Sequence, residues 1–327
     1  MKAILKNTEK YGNIKLAKGL LLDETKTVKR GGEIGVSTKK YGKVWFCLPK
    51  GRAIFKTYDD IFCFDIRQNR IVNELLCKEL CNQVGIKCPE IEPASKNGVE
   101  GIVSYNVAKR GEELIDAMDL GRLVRFSDFT NSLEDYAYIA DELQSLGYNV
   151  NKKQFVDDIY KICVFDFLTM QTDRHESNLF FIKDKKEREI KVAPLIDNEF
   201  AFCGKALIKF ISKNYIEEND VKEQYQNFSS FIRIKTNYCL NLDTRATEIA
   251  TLAKNDKRFK KILSDIVQKM NIKTAINNVE NMGYEIAPEY KEYLENITEY
   301  STELLLNKYK ELKVDKSKYI EDFDLLY

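Results

Sequence analysis

The chain has 327 residues, 44% hydrophobic and 31% charged, a globular composition on a chain longer than one hydrophobic core usually serves, so a bilobal unit or two domains is expected. Its 52 basic and 51 acidic residues nearly cancel, so no net field favours nucleic acid or an anionic membrane, and direct nucleic-acid binding is not expected. No apolar run approaches the roughly 20 residues of a membrane span, and Lys2 and Lys6 are followed by no hydrophobic stretch of signal-peptide length, which points to a cytoplasmic protein.

Eight cysteines and a single histidine, His175, complete the inventory of soft ligands. No close cysteine pair is followed by another at zinc-finger spacing, so the cysteines read as small apolar fillers in a reduced compartment.

Residues 1–30 carry little pattern. Arg30 to Lys40 is rich in glycine and hydroxyl residues, with Gly31, Gly32 and Gly35 followed by Ser37 and Thr38. Val44–Leu48 and Arg52–Lys56 read as a hairpin from their β-branched and aromatic content around Pro49-Lys50-Gly51. From Gln68 to Val84 apolar residues recur at three- and four-residue steps, which predicts a helix carrying Glu74 and stopped by Gly85 and Pro89. Gly101–Val107 is the next predicted strand. Helices are then predicted over 133–146 and 155–170, the second running into Thr172-Asp173-Arg174-His175-Glu176-Ser177-Asn178. Leu179–Ile182 and Ile190–Ile196 form a second predicted hairpin, ending at Asp197-Asn198. Beyond about 205 the pattern is helical, with breaks near Gly283 and Pro288. A stripe of Tyr290, Tyr293, Leu294, Ile297, Tyr300, Leu304 and Leu305 reads as core packing.

The chemistry-bearing residues are Asp173, Asn178 and Asp197. A phosphoryl-transfer site needs a carboxylate that orients and deprotonates an acceptor hydroxyl. It also needs oxygen ligands for magnesium, a cation on the phosphates and backbone amides to cover them. Kinases place an Asp five residues before a metal-binding Asn, then a second metal-binding Asp after the following strands. Asp173, Asn178 and Asp197 repeat those residue types in that order. Either half alone is better read as turn chemistry. The order of both halves, with Lys56 and Glu74 in the positions of a strand lysine and its helix partner, favours catalysis. The glycines before Val44, with Gly35 and Ser37, are candidates for the phosphate-covering turn. His175 reads as a support for the loop more than as a general base.

Thr172–Asn178 followed by Val192–Asn198 resembles the catalytic core of the HipA-like bacterial kinases, and the compact CtkA-type members are nearest in layout. Ile54-Phe55-Lys56, Asn73-Glu74 and Ile102-Val103-Ser104-Tyr105 fit the same family, so the likeness spans roughly residues 35–205. It implies an α+β, bilobal protein-kinase-like fold, with a small β-rich N-lobe over 1–110 and a larger helical C-lobe over 111–327. It implies an ATP- and Mg2+-dependent Ser/Thr protein kinase in which Asp173 accepts the proton, Asn178 and Asp197 hold magnesium, and Lys56 contacts phosphate. By the same resemblance His175 lies beside the phosphates, and Ser104, Tyr105 and Asn106 hold adenine. Autophosphorylation at Ser37 or Thr38 and an antitoxin-like regulator belong to the same family picture, and secretion or delivery into a host stays open beside the cytoplasmic expectation. Two other readings stay open at this point: a lipid or small-molecule kinase, because related lipid kinases share the Asp-Arg-His-x-x-Asn string, and a nucleotide-binding regulatory module without turnover.

Overall fold

A computed structural model describes residues 3–5, 44–48, 51–56, 64–96, 99–202, 232–234 and 242–314. The glycine-rich segment with Gly35 and Ser37 lies outside these residues, as does most of 203–241.

Strands β2 (Val44–Leu48) and β3 (Gly51–Lys56) form the expected hairpin, with Val44 opposite Phe55. Helix α1 (Phe64–Val84) starts four residues earlier than its periodicity suggests. It buries Ile71, Val72, Leu75, Leu76 and Leu80 completely or nearly so. Gly85, at φ +70°, ends it in the left-handed conformation that glycine adopts without steric cost.

Two more strands, β4 (Ile91–Lys96) and β5 (Val99–Tyr105), complete an antiparallel sheet of order β2-β3-β5-β4. β4 was not expected, because Pro93 and its polar neighbours hide it. As an edge strand it tolerates a residue that cannot donate to the ladder. β5 ends at Tyr105, two residues before the predicted end. At Gly101 an added Cβ would lie 2.2 Å from the Lys56 carbonyl oxygen and 2.7 Å from the Phe55 ring. That glycine is what lets β5 lie so close to the strand bearing Lys56.

A second sheet, β6-β7-β8, sits below the first along the chain. β6 (Glu112–Asp116) is acidic and carries no strand signature, and it leads directly into the short helix α2 (Ala117–Leu123), capped by Asp116. Helix α3 (Leu133–Ser145) opens on a reciprocal capping box, with Ser132 Oγ accepting from Asp135 N and the Asp135 carboxylate accepting from Ser132 N. Helix α4 (Lys152–Leu168) is buried along most of its last three turns. β7 (Phe180–Asp184) and β8 (Ile190–Val192) form the second hairpin. The strand predicted to continue to Ile196 stops at Val192 because Leu195 N turns away to donate to the Lys87 carbonyl at 2.7 Å. Phe181 fixes β7 from beneath, stacked at 5.4 Å on Phe155 of α4 and at 6.0 Å on Tyr136 of α3.

The C-terminal part holds α5 (Leu242–Asn255), α6 (Lys257–Lys269), α7 (Ile272–Asn281) and α8 (Pro288–Val314). It breaks at Asp256 and Asn271, two side-chain N-caps that the apolar pattern does not reveal. Between α7 and α8, strand β9 (Tyr284–Ile286) pairs antiparallel with β1 (Ala3–Leu5). A continuous apolar cluster runs from α1 through α3 and α4 to α8, and in it Tyr290, Tyr293, Leu294, Ile297 and Leu305 are buried, as their stripe implies. Among the described residues no helix is long and apolar enough to cross a membrane.

Candidate active site

The site lies where β3, α1, the loop after α4 and the turn after β8 converge. Lys56, the last residue of β3, points onto α1 and is 7% exposed. Its Nζ donates to Glu74 Oε1 and to Asp197 Oδ1, each at 2.6 Å. Burial alone would lower the lysine pKa, but the negative charges of Asp197, Glu74 and Glu199 outweigh it and hold the ammonium well above its ordinary value. Breaking such a pair strands a buried charge, so the three side chains form one electrostatic unit.

Asp197 sits at φ +62°, a left-handed conformation uncommon outside glycine and least costly for Asp and Asn. The turn survives because its neighbours are tied down. Asn198 N donates to Glu74 Oε2 at 3.2 Å, so each oxygen of that buried carboxylate serves a different part of the site.

Asp173 and Asn178 occupy the loop between α4 and β7. Asn178 Nδ2 donates to the Asp173 carbonyl at 2.8 Å and to Asp173 Oδ2 at 3.2 Å. The amide of Asp173 donates to Gln171 Oε1 at 3.1 Å. The Asp173 carboxylate is thus oriented yet stays half-exposed. His175 caps the following 3-10 turn, its Nδ1 accepting from Ser177 N at 3.1 Å. That bond places the proton of the neutral ring on Nε2, which lies 3.9 Å from Asp173 Oδ1. His175 therefore shapes the loop and faces Asp173.

The piece that joins these halves is Arg174, which is completely buried. Its Nε and Nη2 donate to the two oxygens of Asp166 on α4 at 3.1 and 3.3 Å. Its Nη1 donates to the carbonyls of both Asn178 and Ile196, at 3.0 and 2.8 Å, and Nη2 also reaches Asn198 Oδ1 at 2.5 Å. One guanidinium fork thereby sets the spacing between the Asn178 loop and the Asp197 turn. Burial pushes the Asp166 carboxyl up, against the pull of Arg174, and for Arg174 the nearby carboxylates outweigh burial and raise it. Arg174 was visible only as a letter inside the motif; its part in the structure was not, because its partners lie on three separate segments.

Glu199 was also missed. It follows the Asp197 turn directly, and one oxygen each of Glu74, Asp197 and Glu199 lies within 4.8 Å of the others. The Arg70 guanidinium approaches Glu199 at 3.8 Å and lies 4.3 Å over the Phe200 ring. A magnesium ion fits these residues chemically. The ligand atoms are all oxygens, and the bond from Asn178 Nδ2 to Asp173 leaves the Asn178 oxygen as its ligand atom.

Ser104 lies in β5 opposite Ile54, and Tyr105 and Asn106 follow at its end. The amides of Tyr105 and Asn106 donate within the sheet, to Glu90 O at 2.9 Å and Arg52 O at 2.8 Å. These two amides are therefore engaged by the protein itself, and the expectation that Tyr105 and Asn106 hold adenine gains no backbone donor from them.

No family model matches the sequence, and no curated protein matches it. Among solved structures, the chain is similar to the Helicobacter pylori proinflammatory kinase CtkA, with a TM-score of 0.63 and 14% identity, over 90% of this chain and 96% of that one. It also matches HipA from Shewanella oneidensis MR-1, solved with HipB and operator DNA, at a TM-score of 0.48 and 14% identity over 98% of this chain and 74% of that one. The likeness to CtkA shows the fold: α+β and kinase-like, with a helical C-terminal lobe, as the resemblance implied.

Proposed function

We propose that the chain belongs to the HipA-like kinases and transfers the γ-phosphoryl group of ATP to a serine or threonine hydroxyl of a protein. The observation that carries this is Lys56 held at 2.6 Å from both Glu74 and Asp197. In a kinase the same lysine, helix glutamate and metal aspartate must be in place together before phosphoryl transfer proceeds.

Each residue then has a task. Asp173 orients the acceptor hydroxyl and takes its proton as the new O–P bond forms and the bond to the β-phosphate oxygen breaks. Asn178, besides steadying Asp173, would hold magnesium together with Asp197. Magnesium bound there would supply positive charge to the phosphate oxygens. Lys56 supplies a second positive charge, fixed in place by Glu74 rather than by the nucleotide. His175 Nε2, beside Asp173, is positioned to donate to a phosphate oxygen.

Labelled ATP and magnesium, incubated with the protein in a lysate, test this directly. Wild type is expected to label a protein acceptor or itself. Asp173→Ala and Asp197→Ala are each expected to lose at least about a hundredfold in rate. If both variants keep wild-type transfer, or wild type labels no protein at all, the assignment fails. Label on lipid or a small molecule instead would keep the chemistry and change the acceptor.

A further inference from the structure

Residues 199–202, just past Asp197, have no helix or strand, yet each of their carbonyls accepts from a side chain. Asn73 Nδ2, on α1, donates to Glu199 O at 3.2 Å and to Ala201 O at 3.0 Å. Thr172 Oγ1 donates to Phe200 O at 3.3 Å, and the Tyr293 hydroxyl on α8 donates to Phe202 O. The ladder is closed by Ala201 N to Asn198 O at 3.1 Å and Phe202 N to Thr169 O. Three elements distant in sequence thus grip four consecutive carbonyls.

Asn73 is the centre of this grip. It is 1% exposed and adjacent to Glu74 on the same helix. A buried primary amide that donates twice must also have its oxygen satisfied. The Tyr290 hydroxyl does so, donating to Asn73 Oδ1 at 2.5 Å. Tyr290 is itself fully buried and stacked on Tyr293 at 5.7 Å, so α8 fixes the rotamer of Asn73. Burial raises the Tyr290 phenol well above its ordinary range, so it remains the donor.

We propose that Asn73, locked by Tyr290, is a positioning residue for the metal and phosphate site. It fastens Glu199–Ala201 to the helix bearing Glu74, and so keeps Asp197 in register with Lys56 and Asn178. Neither residue touches the reacting atoms; both act through the turn that presents Asp197. The inference rests on the phosphotransferase assignment above and adds to it the element that sets the geometry of the metal ligand. Residues that orient metal ligands from outside typically change metal affinity or activity by about 10- to 100-fold.

The test is binding of ATP by titration calorimetry, with and without magnesium chloride, for wild type, Asn73→Ala and Tyr290→Phe. The Tyr290→Phe variant keeps the ring stack and removes only the hydroxyl, so it remains informative if Asn73→Ala folds poorly. Wild type is expected to bind ATP more tightly when magnesium is present. Both variants are expected to lose about tenfold or more of that magnesium-dependent gain, with metal-free binding close to wild type. Asn73→Ala should also speed hydrogen exchange at the amides of 198–202. An unchanged magnesium-dependent gain in a folded Tyr290→Phe, or an equal loss with and without the metal, overturns the positioning role and leaves the phosphotransferase assignment standing. Absence of ATP binding by wild type overturns both.

Discussion

The site depends on two cations used in opposite ways. Arg174 is structural: fully buried, it satisfies Asp166, two carbonyls and Asn198 at once. Replacing it with Met leaves these groups without their donor, and removing one partner of a buried pair costs about 3–5 kcal/mol. Arg174→Lys keeps the charge but not the planar fork, so its loss in urea unfolding should be smaller while phosphate transfer still falls sharply. An Arg174→Met protein with wild-type stability would show that the fork holds nothing together. Lys56 is the cation that the proposed function sets against the phosphates, and its pKa is raised because the surrounding carboxylates outweigh burial. A lysine whose folded pKa is raised gives its full stabilisation below the unfolded value and loses it only as pH climbs through the folded one. The stability lost by Lys56→Met should therefore be the same at about pH 7 and about pH 9. A penalty that shrinks markedly toward pH 9 would mean that the lysine titrates in that window and is not held by Asp197 and Glu74.

At the scale of elements, the reactive side chains depend on backbones that approach closely. Gly101 lets β5 lie against the Lys56 carbonyl, where a methyl group would sit at 2.2 Å. Gly101→Ala must push the two strands apart, and overpacking of this kind costs about 1–3 kcal/mol. Because the displaced strand ends in Lys56, ATP affinity should fall along with stability in chemical denaturation and calorimetry; a variant matching wild type in both would refute the close approach. The hairpin β2–β3, the helices α1, α3 and α4, and the order Lys56, Glu74, Asp173, Asn178, Asp197 were legible because local pattern and spacing carry them. β4 and β6 were not, since Pro93 and the acidic run Glu112-Glu113 mask strands that are specified by partners rather than by their own composition. Glu199, and the partners of Arg174 and Asn73, escaped for a related reason. Asn73 bonds residues 126 and 128 positions away, and Arg174 bonds residues 22 and 24 positions away, and no local periodicity records such pairings. The Tyr290 stripe was legible as core, but its hydroxyl meets Asn73 across 217 residues.

Across the whole molecule, the helix carrying Glu74 is built into the C-terminal part. At its far end Gln83 exchanges two hydrogen bonds with Asn271, Nε2 to the carbonyl at 3.1 Å and Oε1 from the amide at 2.7 Å. One turn earlier Glu79 accepts from Asn278 Nδ2 at 2.8 Å, and at the site end Asn73 is held by Tyr290. Its apolar face belongs to the same cluster as α4 and α8. In kinases regulated by displacement of the corresponding helix, the lysine–glutamate pair is made and broken as the helix moves. Here such a movement would have to open the shared core, which makes it as costly as unfolding much of the domain. The Lys56–Glu74 pair should therefore persist without nucleotide. Native-state hydrogen exchange provides the check: buried amides of α1 from Ile71 to Leu80 should exchange as slowly as those of α4, and only through global unfolding. ATP with magnesium should slow both helices by the same factor, since a ligand that binds only the folded state raises global stability uniformly. Protection of α1 that is much weaker than that of α4 in the free protein, and rises selectively with nucleotide, would show a mobile helix and place control of the site there instead.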